Sequence, residues 1–243
     1  MTKSFSIDGR TCRLFGPDGP GDPEYLLIQP SARHETATLE AEAAQIEALS
    51  KHSFILTAID LDDWILDLMP WPDRNISREE KAGRLAPDTL QFILASLIPE
   101  LKGQFGERPV ILGGYSLGGL FALWAASRTD CFKAIAAASP SVWIKDWIPF
   151  ARKNIPAAES VYLSLGRREE HVKNQAIARV GNCLREYDAL LQAQLDPAHR
   201  TLVWEEGNHF TDNEGRMARA FAWCMDRPSN TCERKTPSQK AGS

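Results

Sequence analysis

Short apolar runs recur along the chain, each followed by a longer stretch with helical spacing. The runs lie at 25–28, 54–59, 110–112, 134–138, 161–165 and 201–204. Each is too short for a helix and apolar on consecutive positions, the pattern of a strand buried on both faces in a parallel sheet. Helix-like stretches separate them at 38–50, 86–104, 117–127 and 174–194, with a last one at 212–225. Strand alternating with helix predicts an α/β layered fold. The start differs: Phe5 and Ile7 alternate before Asp8-Gly9, and Cys12 and Leu14 alternate after it. That pattern predicts an antiparallel hairpin, with Asp-Gly supplying the positive φ of its turn. Residues 16–23 are too rich in Gly, Pro and Asp for helix or central strand and carry the chain across to the next element.

Helix starts have their own signals. Pro87 suits a first helical turn, where its missing N–H is not needed, and Thr211-Asp-Asn-Glu214 reads as a capping box opening the last helix. Ser77-Arg-Glu-Glu80 reads as another, opening a short helix placed to act as a small lid. After Arg227 the chain is polar, aperiodic and Pro- and Ser-bearing, which predicts a disordered tail over 227–243 behind a single domain at 1–226.

Composition narrows the partners. With 43% apolar and 25% charged residues and a net charge of −4, the chain is an ordinary globular protein without the basic footprint that nucleic acid or an anionic membrane attracts. No apolar run approaches a membrane span, and the N-terminus lacks the apolar core of a signal peptide. The five scattered cysteines include no C-x-x-C pair and read as reduced thiols in a cytoplasmic protein. No P-loop, G-x-G-x-x-G unit or metal-ligand cluster occurs, so neither cofactor nor metal is expected, and a small molecule is the natural partner.

The sharpest motif is Gly114-Tyr115-Ser116-Leu117-Gly118. G-x-S-x-G alone arises by chance in roughly one chain in ten of this length. Here an apolar strand runs directly into it and an apolar, Ala-rich helix directly out, which is the context of a nucleophilic serine on a sharp strand-to-helix turn. The Leu117 N–H, at the helix N-terminus, is then aimed where an oxyanion would form.

Such a serine needs a base within hydrogen-bond reach. In layered folds with this turn the chain order is serine, acid, histidine, which leaves His171, His199 and His209. His209 follows the last predicted strand and precedes the final helix, so it lies at the same sheet edge as Ser116; His199 precedes that strand, and His171 sits beside the acid loop. The acid is expected after the 161–165 strand, where Glu169 is preferred, with Glu170 next and Asp130 a distant third.

With these residues in hand, the chain resembles the esterase family that includes esterase D, feruloyl esterases, mycolyltransferases and the enterochelin and salmochelin esterases. The likeness rests on Gly-Tyr-Ser-Leu-Gly-Gly (114–119), Ala-Ser-Pro-Ser-Val-Trp (138–143), Tyr-Leu-Ser-Leu-Gly-Arg-Arg-Glu-Glu (162–170) and Glu-Gly-Asn-His-Phe (206–210), within about residues 24–226. It implies an α/β-hydrolase fold, a mostly parallel sheet with helices on both faces, preceded here by the antiparallel hairpin. It further implies Ser116 as nucleophile, His209 as base, Glu169 as acid, and hydrolysis of a small carboxylic ester through an acyl-enzyme. One segment departs from the pattern: many relatives have a Gly-rich loop after the first central strand, where this chain has Ile28-Gln-Pro-Ser-Ala-Arg33. Pro30 has no N–H to donate, which passes the second oxyanion contact to the backbone of Ser31 or a neighbour.

Two aromatic segments follow strands on the expected active side, placing Trp71 and Trp143 as candidate walls of the substrate pocket, with Trp64 and Trp147 behind them. The same triad would serve an acyltransferase or thioesterase, and an inactive hydrolase fold acting as a binding module is the reading from another class.

Overall fold

The computed structural model describes residues 2–16, 22–32, 36–78 and 82–228. Its eight-stranded sheet has the order β1-β2-β4-β3-β5-β6-β7-β8. Strands β1 (Thr2–Ile7) and β2 (Arg10–Phe15) form the antiparallel hairpin, turning through Asp8 (φ 47°) and Gly9 (φ 76°). Strand β2 lies antiparallel to β4 (Phe54–Leu61). The remaining pairs, through β3 (Tyr25–Ala32), β5 (Val110–Tyr115), β6 (Ala134–Ala138), β7 (Ser160–Gly166) and β8 (Arg200–Glu205), are parallel.

The helices in chain order are α1 (Thr36–Leu49), α2 (Trp64–Leu68), α3 (Ala86–Phe92), α4 (Ile98–Phe105), α5 (Leu117–Ala126), α6 (Trp147–Ala151), α7 (Gln175–Ala178), α8 (Val180–Gln192) and α9 (Asn213–Met225). The apolar runs are explained by helices on both sides of the sheet. Leu27, Leu56, Ile111, Ala136 and Tyr162 share a core with α1 and α9, while Leu26, Ile28, Ile55, Leu112, Ile135 and Leu163 share the opposite core with α3, α5 and α8. Successive strand residues thus point to opposite layers, and both must be apolar. Helix α5 is buried along its whole length. Each buried Leu or Phe side chain there contributes about 1.5–3 kcal/mol, which anchors the element that follows Ser116.

Three helix expectations change in detail. The 86–104 stretch is α3, a π-helical turn over Ile93–Leu97, and α4; Pro99 lacks the N–H that would close the regular ladder there. The 174–194 stretch divides into α7 and α8 at Arg179. The 211–214 capping box does not form: Asp212, at φ 58°, precedes α9 without a side-chain cap, and Thr211 Oγ1 instead accepts from the Asn208 N–H at 3.1 Å. That bond folds the His209 loop back on itself. Part of the suggested lid, 79–81, and the tail at 229–243 lie outside the described residues.

Candidate active site

Strand β5 ends at Tyr115 and α5 begins at Leu117, so Ser116 makes the turn alone, at φ 57° and ψ −116°. This backbone is strained for a residue with a Cβ, by about 1–3 kcal/mol. Three backbone bonds hold it: Ser116 N–H donates to Ala138 O (3.0 Å), and Ser116 O accepts from Ser141 N–H (3.0 Å) and Leu120 N–H (3.1 Å). The close crossing of strand and helix explains the glycines. A Cβ on Gly114 would sit 2.4 Å from the Gly118 carbonyl carbon, and one on Gly119 would sit 2.9 Å from Gly114 O.

Ser116, Glu169 and His209 follow the carboxyl ends of β5, β7 and β8, three strands of one parallel set, which is why they share a sheet edge. The Ser116 Oγ lies 3.0 Å from His209 Nε2, and His209 Nδ1 lies 2.7 Å from Glu169 Oε2. Burial pushes the Glu169 carboxyl pKa up, but hydrogen bonds from His209, Ser139 and the Gly166 N–H outweigh it and hold the group below its ordinary value. An ionised carboxylate only accepts, so Nδ1 carries the imidazole proton and Nε2 presents its lone pair to the serine hydroxyl.

The other carboxylate oxygen is held from three sides. Glu169 Oε1 accepts from Ser139 Oγ at 2.7 Å, from Gly166 N–H at 2.7 Å and from Arg216 Nη1 at 2.9 Å. Arg216, on α9, is fully buried. Its guanidinium also donates to Tyr115 Oη (3.0 Å), Glu206 O (2.8 Å) and Asn208 O (3.1 Å), and Tyr115 Oη donates to His209 O (2.9 Å). One cation thus joins the acid, the residue before the serine and the loop carrying the histidine. Sequence reasoning misses Arg216 because an arginine on an amphipathic helix reads as a surface residue, and the partners that bury it, Ser139 and Glu169, lie far away along the chain.

The rival groups have other partners. Glu170 turns away into a two-pronged pair with Arg185 (2.7 and 2.9 Å), which lowers its pKa. His199 is buried against Ser160 Oγ (2.8 Å) at the start of β7, His171 is exposed, and Asp130 is exposed beyond α5.

Ser31 is not placed to hold an oxyanion. Strand β3 continues past Pro30 in register with β4 as far as Ala32↔Leu61. Tyr25 N–H donates toward β4 and Leu26 N–H toward the β5 side, so alternation turns the Ser31 N–H into the β4 ladder and the Ala32 N–H the other way. The Ser31 hydroxyl accepts from Arg13 at 2.8 Å. Trp71 is also elsewhere: its Nε1 donates to Lys145 O (2.8 Å) and its ring packs on Trp147 and Phe150, because segment 69–73 folds back over α6. Trp143 and Trp64, by contrast, both line cavities that contain Ser116.

The comparisons with known proteins fit this geometry. Residues 48–209 match the family model described as Putative esterase, a span that holds the serine elbow and Glu169 and ends on His209. The chain belongs to this esterase family. It is a carboxylic ester hydrolase by that membership, and no curated protein sequence matches it. Solved structures share its fold at low identity. The siderophore hydrolase EstB of Aspergillus nidulans aligns with a TM-score of 0.72 at 20% identity, over 91% of this chain and 93% of that one. An IroE-like serine hydrolase from Shewanella oneidensis aligns at 0.69 and 14%, over 91% and 78%. The enterobactin esterase FES of Shigella flexneri aligns at 0.66 and 14%, over 92% of this chain but 58% of that one.

In this esterase two cavities meet at the serine, one of about 270 Å³ and one of about 320 Å³, and Ser116, His209 and Phe210 line both. Phe210, 84% exposed, stands edge-on to the His209 ring at the rim between them. Among the described residues no His, Cys, Asp or Glu cluster suits a metal ion, and no helix is long and apolar enough to cross a membrane.

Proposed function

We propose that the esterase cleaves a small ester in two steps through an acyl-enzyme, with Ser116, His209 and Glu169 as the catalytic triad. The observation that carries this reading is the unbroken chain from Ser116 Oγ to His209 Nε2 (3.0 Å) and from Nδ1 to Glu169 (2.7 Å). His209 Nε2 takes the hydroxyl proton as Oγ attacks the ester carbonyl carbon. Glu169 keeps the ring oriented and stabilises the imidazolium that results. Negative charge on the carbonyl oxygen falls to the Leu117 N–H, which has no intrahelical partner at the first position of α5. As the tetrahedral adduct collapses, the C–O bond to the alcohol breaks and the alcohol leaves with the proton from His209. Water then attacks the acyl-serine, gives its proton to His209, and releases the acid and the free serine.

A p-nitrophenyl ester series of increasing acyl length tests the proposal. Activity is expected at short chains, and Ser116→Ala and His209→Ala are expected to abolish it. Full turnover by Ser116→Ala would remove the mechanism.

A further inference from the structure

The turn after β6 touches the triad at both ends. Ser139, held at φ 45°, sends its hydroxyl to Glu169 Oε1 at 2.7 Å. Two residues on, Ser141 donates its N–H to Ser116 O at 3.0 Å, and its Oγ lies 3.3 Å from Ser116 Oγ. Left-handed backbone on a residue with a Cβ is strained, and such strain collects at functional sites. Ser139 N–H also donates to Ser164 O on β7 at 2.9 Å. The backbone of the turn, tied to β7 and to the elbow, therefore presents the Ser141 hydroxyl to the nucleophile. Ser141 itself is buried at the wall of the 320 Å³ cavity. Either hydroxyl could give the proton in this contact, and the rest of the site decides which does. Ser116 has one proton, directed at the lone pair of His209 Nε2, because Nδ1 carries the ring proton toward Glu169. Ser141 is therefore the donor and Ser116 Oγ the acceptor.

The two half-reactions pass through similar transition states at Oγ but start from different acceptors. Acylation starts from an alcohol oxygen, which already accepts well from Ser141. Deacylation starts from an ester oxygen, a poor acceptor because its lone pair is drawn into the acyl carbonyl. Once water has added to the acyl carbon and left its proton on His209, the C–Oγ bond breaks. The electron pair stays on Oγ, and the proton returns to it from Nε2. Negative charge gathers on Oγ as that bond breaks, so a donor already aimed there binds the transition state more tightly than it binds the acyl-enzyme. Ser141 keeps its own proton throughout. We propose that Ser141 is a catalytic residue for deacylation, its hydroxyl supporting Ser116 Oγ as the leaving group. The proposal rests on Ser116 forming an acyl-enzyme with His209 as its base.

p-Nitrophenyl acetate separates the half-reactions, because its good leaving group makes acylation fast and leaves deacylation to limit turnover. Stopped-flow release of p-nitrophenolate reads acylation, and quenched samples weighed by mass spectrometry read the loss of acetyl from Ser116. In Ser141→Ala, deacylation is expected to slow by about tenfold, the scale of one hydrogen bond to a charge-bearing oxygen, while acylation stays within about threefold of wild type. kcat and KM then fall together and kcat/KM holds, a split that damage to the fold would not produce. Ser141→Thr keeps the hydroxyl and is expected to restore most of the deacylation rate. Equal slowing of both half-reactions in Ser141→Ala, no slowing of either, or deacylation as slow in Ser141→Thr as in Ser141→Ala overturns the proposal and leaves the triad reading standing. No acetyl adduct on Ser116 in wild type or either variant overturns the acyl-enzyme reading and the proposal with it.

Discussion

The serine elbow and the acid corner reach the same sheet edge by different means. The elbow is local: strand β5, one strained residue and helix α5, with glycines at 114 and 119 where a Cβ would strike the backbone. The acid corner is assembled from afar: Glu169 follows β7, Ser139 follows β6, and Arg216 arrives on α9 to hold both. Contiguous residues fix the serine, while a charge network fixes the histidine and the carboxylate beside it. The two should therefore fail differently.

Breaking the elbow has the largest expected effect. Ser116→Ala should lower kcat by about 10⁴-fold or more while leaving the fold intact, measured as turnover beside circular dichroism. In the acid corner, Glu169→Gln keeps the side-chain shape but removes the charge that holds His209 in one tautomer, and should cost about 10³-fold in kcat. Arg216→Met should cost less, about 10- to 100-fold, because Ser139 and the Gly166 N–H still hold Glu169. The same variant should lose about 1–3 kcal/mol in urea unfolding, since the buried carboxylate keeps these hydrogen bonds but loses the one from the guanidinium.

Stability against pH sharpens the contrast. The folded-state pKa of Glu169 lies below the ordinary value of 4.5. The stability that this ionised carboxylate confers is complete above the unfolded-state value and is lost as pH falls through the lower folded one. Urea unfolding of wild type and Glu169→Gln should therefore differ most near neutrality and converge as the pH is taken well below 4.5. Ser31→Ala has the smallest expected effect, less than about threefold in kcat/KM, since it removes only a hydroxyl that bonds Arg13 and leaves the strand backbone in place.

These differences parallel what the sequence makes legible. The strands, the N-terminal hairpin and the elbow are legible because each is written in neighbouring residues: an apolar run, Asp-Gly, or a glycine-flanked serine. Choosing Glu169 over Glu170 is harder, because adjacent carboxylates differ only in which way they turn, and Arg185 on α8 claims the second. Arg216 is hidden because its partners are 47 and 77 positions away along the chain. Ser31 turns its N–H to β4 because β3 does not stop at its proline, and Trp71 lies away from the serine because a turn after α2 carries it over α6, and neither is written in neighbouring residues.

The central claim is that Ser116 becomes acylated with His209 as its base. Mass spectrometry of the protein after brief exposure to a fluorophosphonate, with peptide mapping, tests it most directly. A single adduct on Ser116 in wild type, strongly slowed in His209→Ala, is the expected result. An adduct on another residue, or none at all in a preparation that still hydrolyses esters, would contradict the account.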